Sequence, residues 1–166
     1  MTCAIEAPTP NLARRKQPNS RHCFVCGVEN RNGLGLRFYH TGPGEVTAET
    51  TVPEHFQGYP GVVHGGVVAT MLDEIVGRAA MEGEPTRFMV TASLKVRYHQ
   101  PVPIGQPLRL VGTLKSRRGR LATAVGQLHL PDGSLGAEAE ALLSDLPTMP
   151  GGEADLEALG WKVYPD

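Results

Sequence analysis

No stretch of the 166-residue chain approaches the roughly 20 consecutive apolar residues that span a bilayer, so the sequence predicts no membrane partner. The first 20 residues have no apolar signal core and carry Arg14, Arg15 and Lys16. They read as a loose arm on a cytoplasmic protein. Cysteine is scarce: three residues, an odd number, do not make a secreted disulfide framework. Charge of one sign is lacking too, the formal net charge being −1. The densest basic stretch, residues 115–120, falls between two strand-like runs and reads as a charged hairpin. Contact with an anionic ligand is its other reading, and a nucleic-acid partner is not expected. No internal repeat is present. With 20% charged and 40% hydrophobic residues, the chain has an ordinary globular composition, and its length suits one core.

What is present is a change of period along the chain. Residues 33–40 alternate Leu34, Leu36 and Phe38 with Gly35, Arg37 and Tyr39, the pattern of a half-buried strand. After Pro43-Gly44, residues 45–52 form a second strand candidate rich in Val and Thr. Pro53, Gly58, Pro60 and Gly61 make residues 53–63 a loop. From Gly66 to Met81, Val68, Met71, Leu72, Ile75, Val76 and Ala79 recur at helical spacing, and Gly83 and Pro85 end the run. Four strand candidates follow, at 88–99, 107–116, 121–130 and 135–145, with Asp132-Gly133 a hairpin turn signal. Successive hairpins predict an antiparallel sheet, and the one long helix must bury its apolar side against it. The expected class is α+β, a curved antiparallel sheet around a central helix. Residues 1–20 are the expected arm, 21–146 the domain, and 147–166 a C-terminal extension with a short helix at 153–159.

The chemistry concentrates at His64-Gly65-Gly66, which leads directly into the helix. Helix-start N–H groups lack partners within the helix, and the helix dipole adds positive charge there. Glycines leave those groups unshielded, so such an end can hold a carbonyl and stabilise an oxyanion. A tight turn into the helix would also account for the glycines. Asp73 lies on a helix that is otherwise mostly apolar, where an unpaired carboxylate is costly to bury. Its neighbours at i±3 and i±4 are Ala69, Thr70, Val76 and Gly77, a small-residue stripe suited to close approach of another backbone. Glu74 is the expected solvent-facing carboxylate. Seven or eight helical residues put about 11–12 Å between the glycines and Asp73. One chain therefore cannot bring both to one carbonyl. Two copies with antiparallel helices can, so a homodimer or dimer of dimers is expected, with an inactive monomer.

His64-Gly65-Gly66, followed by Ala69-Thr70-Met71-Leu72-Asp73, resembles the hotdog-fold thioesterase superfamily in residue type and spacing. The branch it is similar to contains the phenylacetate-pathway thioesterases and the human thioesterase superfamily members. Residues 90–101, followed by Ile104-Gly105, resemble the family's next segment, and the likeness runs from about residue 33 to 145. It implies a hotdog fold and hydrolysis of an acyl-coenzyme A thioester without a metal or other cofactor. It further implies Asp73 as general base or nucleophile and Gly65 as the oxyanion-hole donor. His64 would polarise the carbonyl or order the loop, and Thr91 would position the attacking water. Gly66, Gln57 and Met71 are the expected substrate-binding residues, with Gln57 at the place where some relatives carry an amide.

Cys23-Phe24-Val25-Cys26-Gly27 has the spacing of half a zinc knuckle, but no second cysteine pair accompanies it. It is read as a packing or capping feature, with metal or redox use as its other reading. Trp161 is expected to dock on the body of the domain. Two other functions suit such a fold: an acyl-coenzyme A hydratase or dehydratase, and a non-enzymatic acyl-coenzyme A binding protein.

Overall fold

Helix α1 (Gly65–Ala80) forms where the period-3.6 pattern places it. Its apolar residues Val68, Met71, Leu72, Ile75, Val76 and Ala79 are all at most 1% exposed. Burying each of the larger ones contributes about 1.5–3 kcal/mol. The helix ends where Glu82 and Gly83 turn to positive φ. These observations come from a computed structural model that describes residues 14–146 and 155–166.

The sheet against which α1 packs has seven strands. They are β1 (Arg15–Lys16), β2 (Tyr39–Gly42), β3 (Glu45–Thr51), β4 (Met89–Tyr98), β5 (Pro107–Arg118), β6 (Leu121–His129) and β7 (Leu135–Asp145). Their order across the sheet is β1-β2-β3-β5-β6-β7-β4, all neighbours antiparallel. The inner face alternates as a period-2 pattern demands: Leu108 and Leu110 on β5, Ala122, Ala124 and Leu128 on β6, and Ala137, Ala139, Ala141 and Leu143 on β7 are buried. At its centre Gly112 pairs with Gly126. A Cβ on Gly112 would collide with the Ile75 carbonyl, and one on Gly126 would lie 3.0 Å from Ile75 Cγ2. Glycine and alanine thus hollow the sheet so that α1 can sit in it. Together these features make the α+β architecture expected, a curved antiparallel sheet around one helix among the described residues.

Four expectations need correction. First, the strands after the helix are not all successive hairpins. β5, β6 and β7 are, but β4 pairs with β7 at the far edge. The β4–β5 connection, residues 99–106, is too long for a tight hairpin and carries Pro101 and Pro103, so it can cross instead. Second, only Tyr39 and His40 of the first strand candidate join the ladder, in a strand that runs on to Gly42. Leu36 and Phe38 are buried as their alternation suggests, but Leu34 and Leu36 donate their N–H groups to the carbonyls of Phe24 and Val25 in the cysteine loop. Third, residues 14–20 are not loose. Arg15 and Lys16 pair with β2, and the side chains of Gln17 and Asn19 are buried and hydrogen-bonded. Fourth, residues 156–160 form turns and not a helix, while residues 153–154 lie outside the described residues, as does the rest of the arm. Among the described residues no helix is long and apolar enough to cross a membrane.

Candidate active site

The start of α1 is fixed by His64, which occupies the N-cap and whose Nδ1 accepts the Gly66 N–H at 3.0 Å. The His64 carbonyl accepts the N–H groups of Val67 and Val68 at 2.9 and 3.1 Å. Of the exposed donors at this helix end, the Gly65 N–H is left without a partner among the described residues. The next carbonyl is held from outside the helix, since the Tyr98 hydroxyl donates to the Gly65 oxygen at 2.8 Å. Gly65 therefore presents one free N–H, on the peptide whose His64 carbonyl holds Val67 and Val68 and next to the peptide that Tyr98 holds. Gly66, placed by the sequence among the substrate contacts, spends its N–H on the cap.

The loop before the helix is equally tied. Gln57 Oε1 accepts the Gly61 N–H at 2.7 Å, and the Val63 N–H donates to Val102 at 2.8 Å. Gly58 is required by close approach, because a Cβ there would lie 3.1 Å from His64 Cα. Between this loop, the start of α1 and the crossing connection lies an open cleft of about 870 Å³. Gln57, Tyr59, His64, Gly65, Tyr98 and Val102 are among the residues lining it. The β4–β5 crossover, absent from the sequence reading, thus supplies one wall of this cleft.

A second cleft, about 210 Å³, opens farther along α1 and contains Asp73. Thr91 Oγ1 on β4 donates to Asp73 Oδ1 at 2.7 Å, joining two residues singled out from sequence. Gly77 lies on the same cleft, with nothing within 4 Å of a would-be Cβ. Trp161 closes one side: its Nε1 donates to the Pro85 carbonyl at 2.7 Å, and its ring lies 5.4 Å from that of Phe88. The tail tryptophan does dock on the body, and it does so beside Asp73.

Three other placements differ from those expected. Met71, assigned to substrate contact, is fully buried against the sheet and lines neither cleft, because it lies on the face of α1 opposite Asp73. Val76 is likewise fully buried, so the open stripe beside Asp73 consists of Ala69, Thr70 and Gly77. Glu74 does not simply face solvent: Arg78 Nε donates to its Oε1 at 2.8 Å, and Arg78 itself is 3% exposed. Burial of Arg78 is supported by a bond from Nη1 to the Pro18 carbonyl at 2.6 Å and by stacking over the Phe38 ring. Tyr98 is the site residue that sequence reasoning missed. It is 33 positions from Gly65, and no local pattern marks the pairing.

A helix-start N–H beside a cleft, and a carboxylate with a hydroxyl donor, are what acyl transfer to water requires. Comparison with known proteins agrees with this class. The family model described as the thioesterase superfamily matches residues 60–137. A Caenorhabditis elegans protein provisionally named an esterase is 31% identical over 131 residues, covering 75% of this chain and 76% of its own. The chain belongs to the thioesterase superfamily. Acyl-coenzyme A thioesterase THEM4 of Rattus norvegicus is 33% identical over 111 residues, which cover 64% of this chain and 46% of that protein. The chain spans about half the length of the THEM4 relatives it matches. Among solved structures, a thioesterase superfamily protein superimposes with a TM-score of 0.69 at 38% identity, covering 75% of this chain and 61% of its own. Zebrafish thioesterase superfamily member 2 gives a TM-score of 0.63 at 23% identity, with coverage of 73% and 89%. The Streptococcus mutans protein smu.793, solved bound to acetyl coenzyme A, shares the fold at 19% identity and a TM-score of 0.63, with coverage of 72% and 94%.

Proposed function

We propose that this protein hydrolyses an acyl-coenzyme A thioester to a free acid and coenzyme A, at a site completed by a second copy of the chain. The observation that carries this reading is the division of the site: the free Gly65 N–H and the Asp73–Thr91 pair lie in different clefts of one chain. About eight helical residues, or roughly 12 Å, separate them along α1. An antiparallel copy of α1 brings the Asp73 of one chain to the Gly65 of the other. Two surfaces support such a partner. The stripe Ala69, Thr70, Asp73 and Gly77 is incompletely covered, and β4 ends the sheet with Val90 and Tyr98 about half exposed. The name of the THEM4 relatives and the acetyl coenzyme A held by smu.793 support the substrate class.

In this mechanism the thioester carbonyl oxygen takes the Gly65 N–H, aided by the positive end of α1. Asp73 removes a proton from water while Thr91 fixes the orientation of the carboxylate. The water oxygen bonds to the carbonyl carbon, the C–S bond breaks, and the departing thiolate takes up a proton. Alternatively Asp73 attacks the carbonyl directly, and water then opens the resulting anhydride. The hydroxyl of Tyr98, by holding the Gly65 carbonyl, keeps the oxyanion donor in place.

Thiol release from a panel of acyl-coenzyme A substrates, wild type beside Asp73→Asn, tests the reading. Turnover in the wild type that falls at least a thousandfold in the variant, with folding and assembly intact, is the expected outcome. Single turnover in ¹⁸O water separates the routes, since only direct attack leaves label in Asp73. Equal rates in both proteins would sink the Asp73 mechanism. Absence of turnover across the panel would favour a hydratase or a binding protein.

A further inference from the structure

The cysteine pair gains a third partner that its own neighbourhood does not supply. Cys23 Sγ, Cys26 Sγ and a carboxylate oxygen of Glu74 all lie within 4.8 Å of one another. Glu74 is on α1, about fifty positions away in sequence, and both cysteines are free thiols. The geometry points to a zinc site with these three residues as its ligands, one that pins the N-terminal loop to the helix carrying Asp73.

The local backbone is shaped for two sulfur ligands. The N–H groups of Val25 and Cys26 point at Cys23 Sγ, at 3.3 and 3.5 Å, and the Ser20 N–H points at Cys26 Sγ at 3.4 Å. Donors aimed at both sulfurs offset the negative charge that a metal-bound thiolate keeps. Gly27 closes the turn by donating to the Cys23 carbonyl at 2.9 Å, and any Cβ at this position would collide with that oxygen. Asn19 then clamps the loop, its Nδ2 donating to the carbonyls of Cys26 and Leu36 at 2.7 and 2.9 Å. Cys26 is 1% exposed and Cys23 is half-buried, so the pair sits at the edge of the core with one sulfur open to an incoming ion.

The spacing and the charge both suit zinc. In a tetrahedral site with Zn–S near 2.3 Å and Zn–O near 2.1 Å, donor atoms stand about 3.6–3.8 Å apart. The three donors, all within 4.8 Å of one another, reach that spacing by closing in by about 1 Å at most. Two thiolates favour a borderline-soft cation over magnesium or calcium, and three protein ligands leave one position for water. Two thiolates and a carboxylate would bring three negative charges together. A divalent zinc ion with the guanidinium of Arg78, already bonded to Glu74 at 2.8 Å, neutralises them. Arg78 then acts as the outer partner that orients the carboxylate ligand.

The test uses the full chain purified under reducing conditions without chelator, and its readout is independent of thioesterase activity. Elemental analysis is expected to find about one zinc per chain in the wild type, falling at least tenfold in Cys23→Ser and in Cys26→Ser. Those variants lose local packing, so a second measurement is made on the wild type itself. Metal-stripped protein titrated with cobalt(II) is expected to develop a thiolate-to-cobalt charge-transfer band that saturates at one equivalent. Glu74→Gln should keep the band and bind cobalt at least tenfold more weakly. Absence of both zinc and the charge-transfer band overturns the proposal. So does zinc retained in the Cys23→Ser, Cys26→Ser double variant, or a Cys23–Cys26 disulfide in the freshly purified chain.

Discussion

At the level of single side chains, the Asp73–Thr91 bond of 2.7 Å decides how the carboxylate is presented. Asp73 was legible because a carboxylate interrupts an apolar helix beside small residues. Thr91 is implied only by the likeness of its strand to the family's segment, since threonine is common in strands for backbone reasons alone. The tertiary structure turns that weak signal into a contact. Thr91→Ala is expected to lower kcat about tenfold, the loss of roughly 1.4 kcal/mol, with KM little changed. Thr91→Ser should restore most of the rate. Steady-state kinetics of both variants check this, and an unchanged kcat in Thr91→Ala would remove Thr91 from the mechanism. Met71 departs from its expected place because apolar periodicity gives the buried face of a helix but not which cleft, if any, that face meets.

At the level of elements, the site depends on how closely α1 approaches the sheet. Gly112 faces the Ile75 carbonyl, a backbone group that cannot rotate away. Gly112→Ala is therefore expected to destabilise by about 1–3 kcal/mol in chemical denaturation. Gly42→Ala, whose added methyl would meet only Glu45 Cβ at 3.8 Å, should change stability by less than about 0.5 kcal/mol. Comparable losses in the two variants would show that approach to α1 is not the cause. The attachment of β4 to β7 is secured at one end by Arg87, which donates from Nε and Nη2 to the two oxygens of Asp145, each at 2.9 Å. That pairing holds the Asp145 carboxyl below the usual carboxylate range. A folded-state pKa below the unfolded one stabilises the protein above the unfolded value, about 3.9, and the contribution is lost as pH falls through the folded value. Asp145→Asn should lower Tm by roughly a few degrees at pH 7. Below about pH 4 the gap to wild type should narrow as the wild-type carboxyl protonates. Thermal melts across this range measure it, and a gap that does not vary with pH would assign the effect to packing.

At the scale of the whole molecule, the proposed assembly gives Gly77 a reason that the single chain does not. A Cβ at Gly77 would meet nothing within 4 Å, and glycine in a helix costs about 1 kcal/mol relative to alanine. Packing within the protomer therefore gives no account of Gly77, whereas close approach of a second α1, as proposed above, would. Gly77→Gln is expected to leave the protomer folded, or to stabilise it slightly, while weakening the dimer at least tenfold. Analytical ultracentrifugation of the two proteins tests this, with activity followed on dilution. A wild type that is monomeric and active at assay concentration would overturn the shared site, and Gly77→Gln dimerising as tightly as wild type would remove Gly77 from the interface.

The sequence alone determined those features that follow from period and local chemistry. The position of α1, the bounds of β5, β6 and β7 to within a few residues, the glycine turn into the helix and the isolated Asp73 are all consequences of side-chain pattern over short distances. The same is true of the antiparallel sheet around a helix, which is how these elements bury their apolar faces. Tertiary structure alone decided the partners across long separations. It sent β4 to the far edge beside β7, because a connection of this length permits a hairpin or a crossing and only the completed sheet selects between them. It brought Tyr98 to Gly65, folded Trp161 beside Asp73 and set Glu74 against the two cysteines. Local pattern carries no record of such meetings, since each depends on how the chain closes on itself and not on the residues at either end.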